Sequence, residues 1–432
     1  MTQTEREADV VLVGGGLAGL AAAACLARKG QQVVVVEKGD AVGGRARTRT
    51  LDGFSFNLGA HALYRAGKGA AVLRELGVEP EGGVPAGEGG FAVRAGVLHT
   101  LPIGFVSLLT TGLLRPREKL ETARFFASLR RMDTGRLDTV TLAEWLRAHV
   151  SSPVVGELVA SAVRVSSYSD DLDRMSAGAA FAQLRRAGSG VLYLDGGWQT
   201  LVDGLRGVAE AAGARILTRR SAVAVARDPA VRGVRLDDGQ TLRAHAVVLC
   251  GSPGVAADLL ADGEPTVVRD WAEEAIPVRA ACLDVALDRL PRPERTFALG
   301  IDAPLYASVH SAVARLAPEG GALIHLLRYG GLGGESGAHR EQELAALLDA
   351  LQPGWRGHVV RQRFVPDLVV TSALVTAEKG GLAGRPGPAV PDVPGLYVAG
   401  DWVGPDGMLA VASARHAAFA ILDSTADAYE LG

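Results

Sequence analysis

Residues 10–19 read VVLVGGGLAG, and this stretch sets the architecture of the chain. Its first four residues are apolar and mostly β-branched, as in a buried strand, and three glycines follow them. Gly14, Gly16 and Gly19 form the pattern G-x-G-x-x-G in front of the Ala/Leu-rich run 17–29, which favours a helix. In such a turn Gly14 permits the sharp bend, Gly16 lets a pyrophosphate approach the backbone, and Gly19 lets the helix lie close to the strand.

A second strand and an acidic residue complete this unit. Val33–Val36 is a continuous apolar run, as expected of a parallel strand that is buried on both faces. Glu37 follows it, 23 positions after Gly14, where a carboxylate accepts hydrogen bonds from an adenosine ribose. The unit therefore predicts a Rossmann-like α/β fold that binds a dinucleotide. The predicted binding residues in this part of the chain are Gly14, Gly16, Leu17, Ala18, Gly19, Glu37 and Lys38.

A second glycine pair indicates which dinucleotide is bound. Gly43, Gly44 and Arg45 follow soon after the acid. Paired glycines allow close backbone approach, and an arginine offers a planar fork of donors to pyrophosphate charge. Here the sequence resembles the flavin amine oxidase and phytoene desaturase superfamily, whose members bind FAD non-covalently through such a doublet. The resemblance implies FAD as the cofactor.

A short segment further along extends this resemblance. Residues 57–61 read NLGAH and resemble the D-x-G-A segment that passes beside the flavin ring in the superfamily. Asn57 stands in place of the acid, a departure that we do not expect to remove flavin binding. The resemblance implies cofactor contacts from Gly59, Ala60 and His61.

The carboxy-terminal part of the chain carries the same resemblance. Residues 395–402, GLYVAGDW, are an apolar strand that runs into Gly-Asp, and residues 407–409 open a final helix. In the superfamily the matching aspartate holds the ribityl–pyrophosphate region, and the helix points its N-terminus at the flavin, where its dipole stabilises negative charge. The contacts implied here are Gly400, Asp401, Met408 and Leu409, together with Val223, which resembles a family valine that contacts the adenine through its backbone.

The order of the motifs implies two interleaved domains. A Rossmann-like FAD-binding domain is expected to comprise residues 1–90, 190–255 and 375–432. A mixed α+β substrate domain is expected to comprise residues 91–189 and 256–374, with helices and a smaller sheet that cover an apolar tunnel.

The resemblance implies dehydrogenation of a small hydrophobic, isoprenoid-like substrate, with hydride transfer to flavin N5. An oxidase of an amine or a porphyrinogen is the alternative, and a non-enzymatic prenyl-binding protein is a third. Amine oxidases of the superfamily usually place an aromatic residue at the start of the last helix and a lysine near flavin N5. Residues 407–409 include no aromatic residue, and Lys379 stands in a loop-like context, so both absences favour the desaturase type. No second complete glycine motif follows a strand, so oxygen, a quinone or another external acceptor is expected to take the electrons.

Several residues are candidates for the substrate side of the flavin. Each also has a structural alternative, because buried aromatic residues and histidines are commonly part of a core. The candidate catalytic residues are His61, Tyr306 and His310, and the candidate cavity residues are Tyr193, Trp198 and Met408.

Composition excludes other classes of protein. Lys+Arg is 45 and Asp+Glu is 48 in 432 residues, and the resulting charge of −3 argues against a nucleic-acid partner. The cysteines, Cys25, Cys250 and Cys282, are few and scattered, which fits a reducing compartment, and no Cys/His cluster has zinc spacing, so no metal is predicted. A polar, net-acidic start and the lack of a long uninterrupted apolar run predict a cytoplasmic protein without a spanning helix.

One apolar segment leaves two interpretations open. Residues 97–114, VLHTLPIGFVSLLTTGLL, are interrupted by Pro102, Gly104 and Gly112, which makes a straight helix improbable. The segment is either buried over a cavity, or partly exposed and in peripheral contact with a membrane or a hydrophobic ligand.

Overall fold

The computed structural model describes residues 7–86, 89–262, 266–331, 333–406 and 409–430. The α-helices of this part of the chain are α1 Leu17–Ala27, α2 Lys68–Glu75, α3 Phe105–Thr110, α4 Pro116–Leu129, α5 Leu142–His149, α6 Pro153–Ser167, α7 Ala177–Ala187, α8 Gln199–Ala211, α9 Pro253–Asp258, α10 Val267–Glu274, α11 Gly337–Leu351 and α12 Ala410–Glu430. The strands are β1 Glu7–Val13, β2 Val33–Val36, β3 Thr48–Leu51, β4 Phe54–Asn57, β5 Leu63–Tyr64, β6 Gly82–Gly83, β7 Phe91–Arg94, β8 Val97–Thr100, β9 Val191–Leu194, β10 Arg215–Leu217, β11 Ala222–Asp228, β12 Ala230–Leu236, β13 Thr241–Leu249, β14 Val278–Leu287, β15 Phe297–Gly300, β16 Leu305–Val309, β17 Ala322–Tyr329, β18 Val359–Thr371 and β19 Leu396–Val398.

The amino-terminal βαβ unit forms as predicted. β1 and β2 pair in parallel, with Val10 opposite Val33, and all four valines of β2 are buried. Nearly every residue of α1 is buried, because this helix lies on the sheet and is itself covered by α8 and α12. A helix covered on all sides needs no polar face, which explains its uniformly apolar sequence.

The first sheet brings several strand ends to one edge. Its order is β10-β2-β1-β13-β12-β11, and β19 pairs with the final residues of β13. β10, β2, β1, β13 and β19 are parallel, whereas β11 and β12 form an antiparallel hairpin on the side. The carboxyl ends of the parallel strands therefore share one edge, which is where open α/β sheets bind ligands. The predicted α/β fold class is confirmed.

A second, mainly antiparallel sheet faces this edge. Its order is β18-β14-β17-β16-β15-β7-β8. One face packs on the leucines of α11, and the other face packs on the helices α4 to α7. β18 has no long apolar run that would mark it as a strand in the sequence, because most of its residues are exposed or half-buried. The assignment of sequence ranges to two domains remains a prediction.

The apolar segment 97–114 is a strand followed by a short helix. β8 pairs with β7 at the edge of the second sheet, and α3 begins after Gly104. No residue of α3 is buried, and Phe105 is 77% exposed. The interpretation of a segment buried over a cavity is therefore wrong for α3. Within the described ranges, no helix has both the length and the apolar character to cross a membrane.

Candidate functional site

A cavity of about 590 Å³ opens at the edge where the parallel strands end. Most of the predicted cofactor-binding residues line it, together with Trp198. Gly19, Gly59 and Val223 do not line it, and Met408 lies outside the described residues. The predicted residues on the cavity wall are Gly14, Gly16, Leu17, Ala18, Glu37, Lys38, Gly43, Gly44, Arg45, Ala60, His61, Gly400, Asp401 and Leu409.

The three glycines of the first loop have three different roles. Gly14 has a φ of +112°, and a Cβ built there would lie 3.0 Å from the carbonyl oxygen of Cys250. A Cβ built on Gly19 would lie 1.9 Å from the carbonyl oxygen of Gly14, so Gly19 allows α1 to approach the turn. A Cβ built on Gly16 would meet no atom within 4 Å, because Gly16 faces the cavity. Gly16 therefore keeps space free for a ligand rather than for the protein.

The start of α1 presents unpaired amide groups to the cavity. The N-cap is Gly16, which has no side chain to accept a hydrogen bond from the first turn. The second glycine pair lies directly beside it, since Gly43 N donates to Gly15 O at 2.7 Å and Gly16 pairs with Gly43 as an isolated bridge. Two glycine-rich backbones and a helix N-terminus thus surround one position, which suits a diphosphate.

Glu37 closes the nucleotide end of the cavity. Its Oε2 accepts from Gly15 N at 2.8 Å, and its Oε1 accepts from Gly39 N at 2.6 Å. The two backbone donors fix the carboxylate, and each oxygen keeps a lone pair for a further donor. The hydroxyls of an adenosine ribose are suitable donors.

Asp401 follows β19 at the same edge of the sheet, and one of its carboxylate oxygens has no hydrogen-bond partner among the described residues. Its Oδ2 accepts from Arg45 at 2.7 Å and from Ser372 N at 3.1 Å. Its Oδ1 is buried and has no hydrogen-bond partner among the described residues. A buried carboxylate oxygen without a donor is costly, so a ligand hydroxyl would suit this position.

Hydrogen bonds within the protein hold segment 57–61 in place, and His61 of this segment lines the cavity. The Asn57 side chain does not line the cavity; its Oδ1 accepts from Thr48 Oγ1 at 2.7 Å and from Trp198 N at 3.0 Å. The amide that replaces the family acid therefore acts inside the protein. His61 Nδ1 donates to Gly59 O at 3.0 Å, because a carbonyl oxygen can only accept.

This hydrogen bond sets the chemistry of His61. Burial lowers the pKa of His61 to about 4, despite the Gly59 carbonyl, so the ring is neutral at pH 7. With the proton on Nδ1, Nε2 is an acceptor. The ring lies 4.7 Å from that of Trp198, whose buried Nε1 has no acceptor among the described residues. His61 and Trp198 both line the cavity, so an acceptor nitrogen and a donor without a partner among the described residues lie side by side here.

The other aromatic candidates form a buried cluster outside the cavity lining. Tyr193 and His310 stack with ring centroids 3.7 Å apart, and Tyr306 Oη lies 3.2 Å from His310 Nε2. All three residues are buried. The structure brings them together but not onto the cavity wall, so a direct contact of Tyr306 or His310 with substrate stays a prediction that this geometry does not support.

An ionic network that sequence reasoning missed lies beside this cluster. Asp284 and His325 are both fully buried, and His325 Nδ1 lies 2.5 Å from Asp284 Oδ1. Arg363 donates through Nε to Asp284 Oδ2 at 3.0 Å and through its amino group to the Asn57 carbonyl. Burial alone would raise the pKa of Asp284, but His325 and Arg363 outweigh burial and lower it. The network ties the second sheet to the segment that carries His61.

The remaining wall of the cavity is apolar with a polar end. Its apolar members are Leu58, Ala62, Leu63, Leu327, Leu368 and Val369. Its polar members include Tyr64, Tyr168, Gln183 and Arg186, none of which had a motif to mark it in the sequence. Arg186 donates to Gln183 Oε1 at 3.3 Å, and no carboxylate of the described residues lies within 4.0 Å of it. Burial lowers the pKa of Arg186.

Two further charged residues, Asp406 and Lys379, each lie within ion-pair distance of another side chain. Asp406 lies 3.0 Å from His416, and Lys379 forms a surface ion pair with Glu274. Lys68 lines the cavity from the start of α2 and was not considered from the sequence. Within the described ranges, no group of three or more His, Cys, Asp or Glu residues is arranged to hold a metal ion.

The residues present fit an extended FAD. Gly16 leaves room for the diphosphate, Glu37 suits the adenosine ribose, and the unpaired Asp401 oxygen suits a ribityl hydroxyl. These groups lie on separate strand ends of one sheet edge, in the order that a long dinucleotide requires. The fit rests on the chain's own geometry.

The chain is similar to several known proteins. The chain is 27% identical over 416 residues to coproporphyrinogen III oxidase from Propionibacterium freudenreichii subsp. freudenreichii, covering 80% of this chain and 77% of that protein. It is 44% identical over 68 residues to 4,4'-diapophytoene desaturase from Staphylococcus haemolyticus, covering 16% of this chain and 14% of that enzyme. A crystal structure of an oxidoreductase from Methanosarcina mazei matches with a TM-score of 0.77 at 20% identity, covering 96% of this chain and 100% of that chain.

The family assignment comes from a match that spans nearly the whole chain. Residues 17–422 match the family model described as flavin containing amine oxidoreductase. The match begins at the first residue of α1 and ends within α12, so it includes Glu37 and Asp401. The chain belongs to the flavin-containing amine oxidoreductase family, and its cofactor is FAD.

Proposed function

We propose that this oxidoreductase dehydrogenates a small hydrophobic, isoprenoid-like substrate. The observation that carries the proposal is the wall opposite the glycine loops, where Leu63, Leu327 and Leu368 are among the apolar residues that face the cavity. Burial of apolar substrate surface against such a wall provides binding energy without hydrogen bonds. The match to a diapophytoene desaturase, although short, is consistent with a substrate of this class.

FAD, when bound, supplies the acceptor for a hydride from a substrate carbon. The chain's own part is to bind the dinucleotide at Gly16, Glu37 and Asp401 and to hold the substrate against the apolar wall. His61 is proposed to take the proton that leaves the substrate, because its neutral ring carries an acceptor nitrogen within the cavity. The rate advantage then comes largely from positioning. Oxygen or a quinone is the proposed electron acceptor.

A porphyrinogen is the second candidate substrate. Arg186 is suited to bind a carboxylate of the substrate, because it lines the cavity and has no carboxylate partner among the described residues. One relative, which this chain matches over 416 residues, is a coproporphyrinogen III oxidase. A porphyrinogen would combine an apolar macrocycle with acidic side chains.

Flavin reduction without oxygen separates these candidates. The flavin-loaded protein is mixed anaerobically with an isoprenoid polyene in detergent, with a porphyrinogen, or with small amines, and the absorbance near ~450 nm is followed. Bleaching by the polyene supports the proposal. Bleaching by the porphyrinogen or by amines, with none by the polyene, overturns it.

Arg186→Gln sharpens the test, and the exposed neighbour Arg185→Gln serves as the matched control. If a porphyrinogen is the substrate, Arg186→Gln is expected to raise KM at least about tenfold, because a charge-assisted hydrogen bond is lost. If a neutral polyene is the substrate, both variants are expected to resemble the unaltered protein.

A further inference from the structure

The most exposed large apolar side chains of the described residues gather in one short part of the chain. Ile103 is 55% exposed, Phe105 77%, Val106 65% and Leu109 55%. We refer to these four residues as the apolar patch. Phe105, Val106 and Leu109 fall within about 100° of the α3 circumference, since each residue advances the helix by about 100°. A contiguous apolar surface of this kind marks an interaction site.

The patch is held in place rather than loosely attached. Ser107 caps the start of α3 by accepting from Gly104 N at 2.9 Å, and Thr111 donates to Thr100 O at 2.6 Å behind it. Leu108, on the other side of α3, packs against the core between the second sheet and its helices. The exposed side chains are therefore presented outward by a fixed helix.

Three basic residues lie at the start of α4, which contacts the carboxyl end of α3. Lys119 Nζ lies 2.6 Å from the Leu109 carbonyl, which places the first turns of α4 beside the patch. Arg115 and Arg117 lie in the same turns, are exposed, and have no carboxylate within 4.0 Å in the described part of the chain. We refer to Arg115, Arg117 and Lys119 as the basic rim.

The two acids beside the basic rim form no ion pair with it within 4.0 Å in the described part of the chain. Glu118 accepts from Arg115 N at 2.6 Å through one oxygen and from Ser152 Oγ at 3.2 Å through the other. Glu121 accepts from Ser151 N at 2.6 Å. Both carboxylates are thus engaged in capping and loop contacts. Residues 97–131 carry six basic and two acidic side chains, in a chain whose net charge is −3.

We propose that the apolar patch and its basic rim bind an anionic lipid surface, with α3 lying in the headgroup region and its apolar side chains inserted. An apolar face bordered by cations is the arrangement that binds such membranes. A second copy of the chain is a poorer partner, because a symmetric contact would bring two basic rims together. The proposal does not depend on which substrate is oxidised.

Vesicle co-sedimentation of the full-length, flavin-loaded protein tests the proposal. The expected result is binding to phosphatidylcholine vesicles that contain about 30% phosphatidylserine, with much weaker binding to pure phosphatidylcholine. Added salt at about 0.5 M is expected to weaken the binding, because it screens the basic rim. Equal sedimentation with and without vesicles would overturn the proposal.

Variants identify the surface involved. The double variant Phe105→Ser, Leu109→Ser is expected to bind anionic vesicles at least about tenfold more weakly, and Arg115→Gln with Arg117→Gln to lose the preference for phosphatidylserine. Val359→Ser with Val360→Ser, which removes exposed apolar groups from β18, is the matched control and is expected to bind normally. Flavin absorbance reports that each variant is folded.

Two results would contradict the lipid proposal. One is unchanged vesicle binding by Phe105→Ser, Leu109→Ser. The other is a concentration-dependent dimer in sedimentation velocity that this same variant abolishes, because the patch would then be an interface between copies of the chain.

Discussion

The glycine loops and the ionic network of Asp284, His325 and Arg363 depend on different kinds of contact. The loops act through backbone geometry: Gly14, Gly16 and Gly19 lie within six positions, and their neighbours are set by the spacing. The ionic network depends on side chains from strands that are far apart in sequence, since Asp284 contacts His325 and Arg363 within the second sheet. A function that depends on local backbone spacing can be recognised in a sequence, whereas one that depends on long-range side-chain pairing cannot.

Substitution of Gly19 is expected to have the largest effect on the loop side of this comparison. In Gly19→Val the new Cβ would lie 1.9 Å from the Gly14 carbonyl, so α1 must move away from β1. We expect loss of folded protein, measured as soluble yield and as a cooperative thermal transition. Gly207→Val on α8, where a Cβ meets nothing within 4 Å, is the control. A Gly19→Val protein with an unchanged melting temperature would refute the assigned packing.

Substitution of Asp284 tests how much the ionic network contributes to stability. Asp284→Asn removes the charge that pairs with Arg363 and His325 in a fully buried position, and we expect a loss of about 3 kcal/mol in the free energy of unfolding in urea. Asp288→Asn is the matched control, because Asp288 pairs with His358 at 2.9 Å on the surface. That change is expected to cost no more than about 0.5 kcal/mol. Equal losses in the two variants would show that burial of the network is unimportant.

Gly16→Val is expected to affect cofactor binding without affecting folding. Gly16 has extended backbone angles and open space at the Cβ position, so valine fits the protein but fills the proposed diphosphate position. We expect flavin affinity to fall at least about 100-fold while the far-UV circular dichroism stays unchanged. Retention of the full yellow colour would place the diphosphate elsewhere.

The pH dependence of stability is expected to be the smallest of these effects. The pKa of His61 is lowered to about 4, from 6.5 in an unfolded chain, so the unfolded chain binds more protons between these values. The contribution of His61 is therefore present above pH 6.5 and is lost as the pH falls toward 4. Burial also lowers the pKa of His310, so its contribution to stability changes with pH in the same direction.

A comparison of variants isolates the contribution of His61. In urea titrations at pH 7 and pH 5, His61→Phe is expected to lose less stability on acidification than the unaltered protein. His339→Gln, which changes an exposed histidine, is expected to behave like the unaltered protein. An unchanged pH response in His61→Phe would exclude His61 as a proton-linked group.

The extent of sequence prediction follows the same division. The first glycine loop and Glu37 were predicted because strand, turn and acid are close in sequence. The second glycine pair and Asp401 were implied by the family resemblance, and the structure brings all of them to one cavity. The role of Asn57 as an internal hydrogen-bond acceptor was not predictable, since its partner Trp198 is 141 positions away. Arg186 was missed for a related reason: an arginine on α7 looks like any surface residue until the cavity beside it is known.

Two parts of the chain that are far apart in sequence meet at the cavity, and this has a consequence for biosynthesis. Gly16 and Asp401 both border this cavity, yet Asp401 is 385 positions later in translation. A nascent polypeptide that has already folded its first βαβ unit still lacks the carboxylate for the ribityl chain. Retention of the yellow prosthetic group should therefore begin only after Asp401 has left the ribosome, which makes colour a marker that synthesis has passed residue 401.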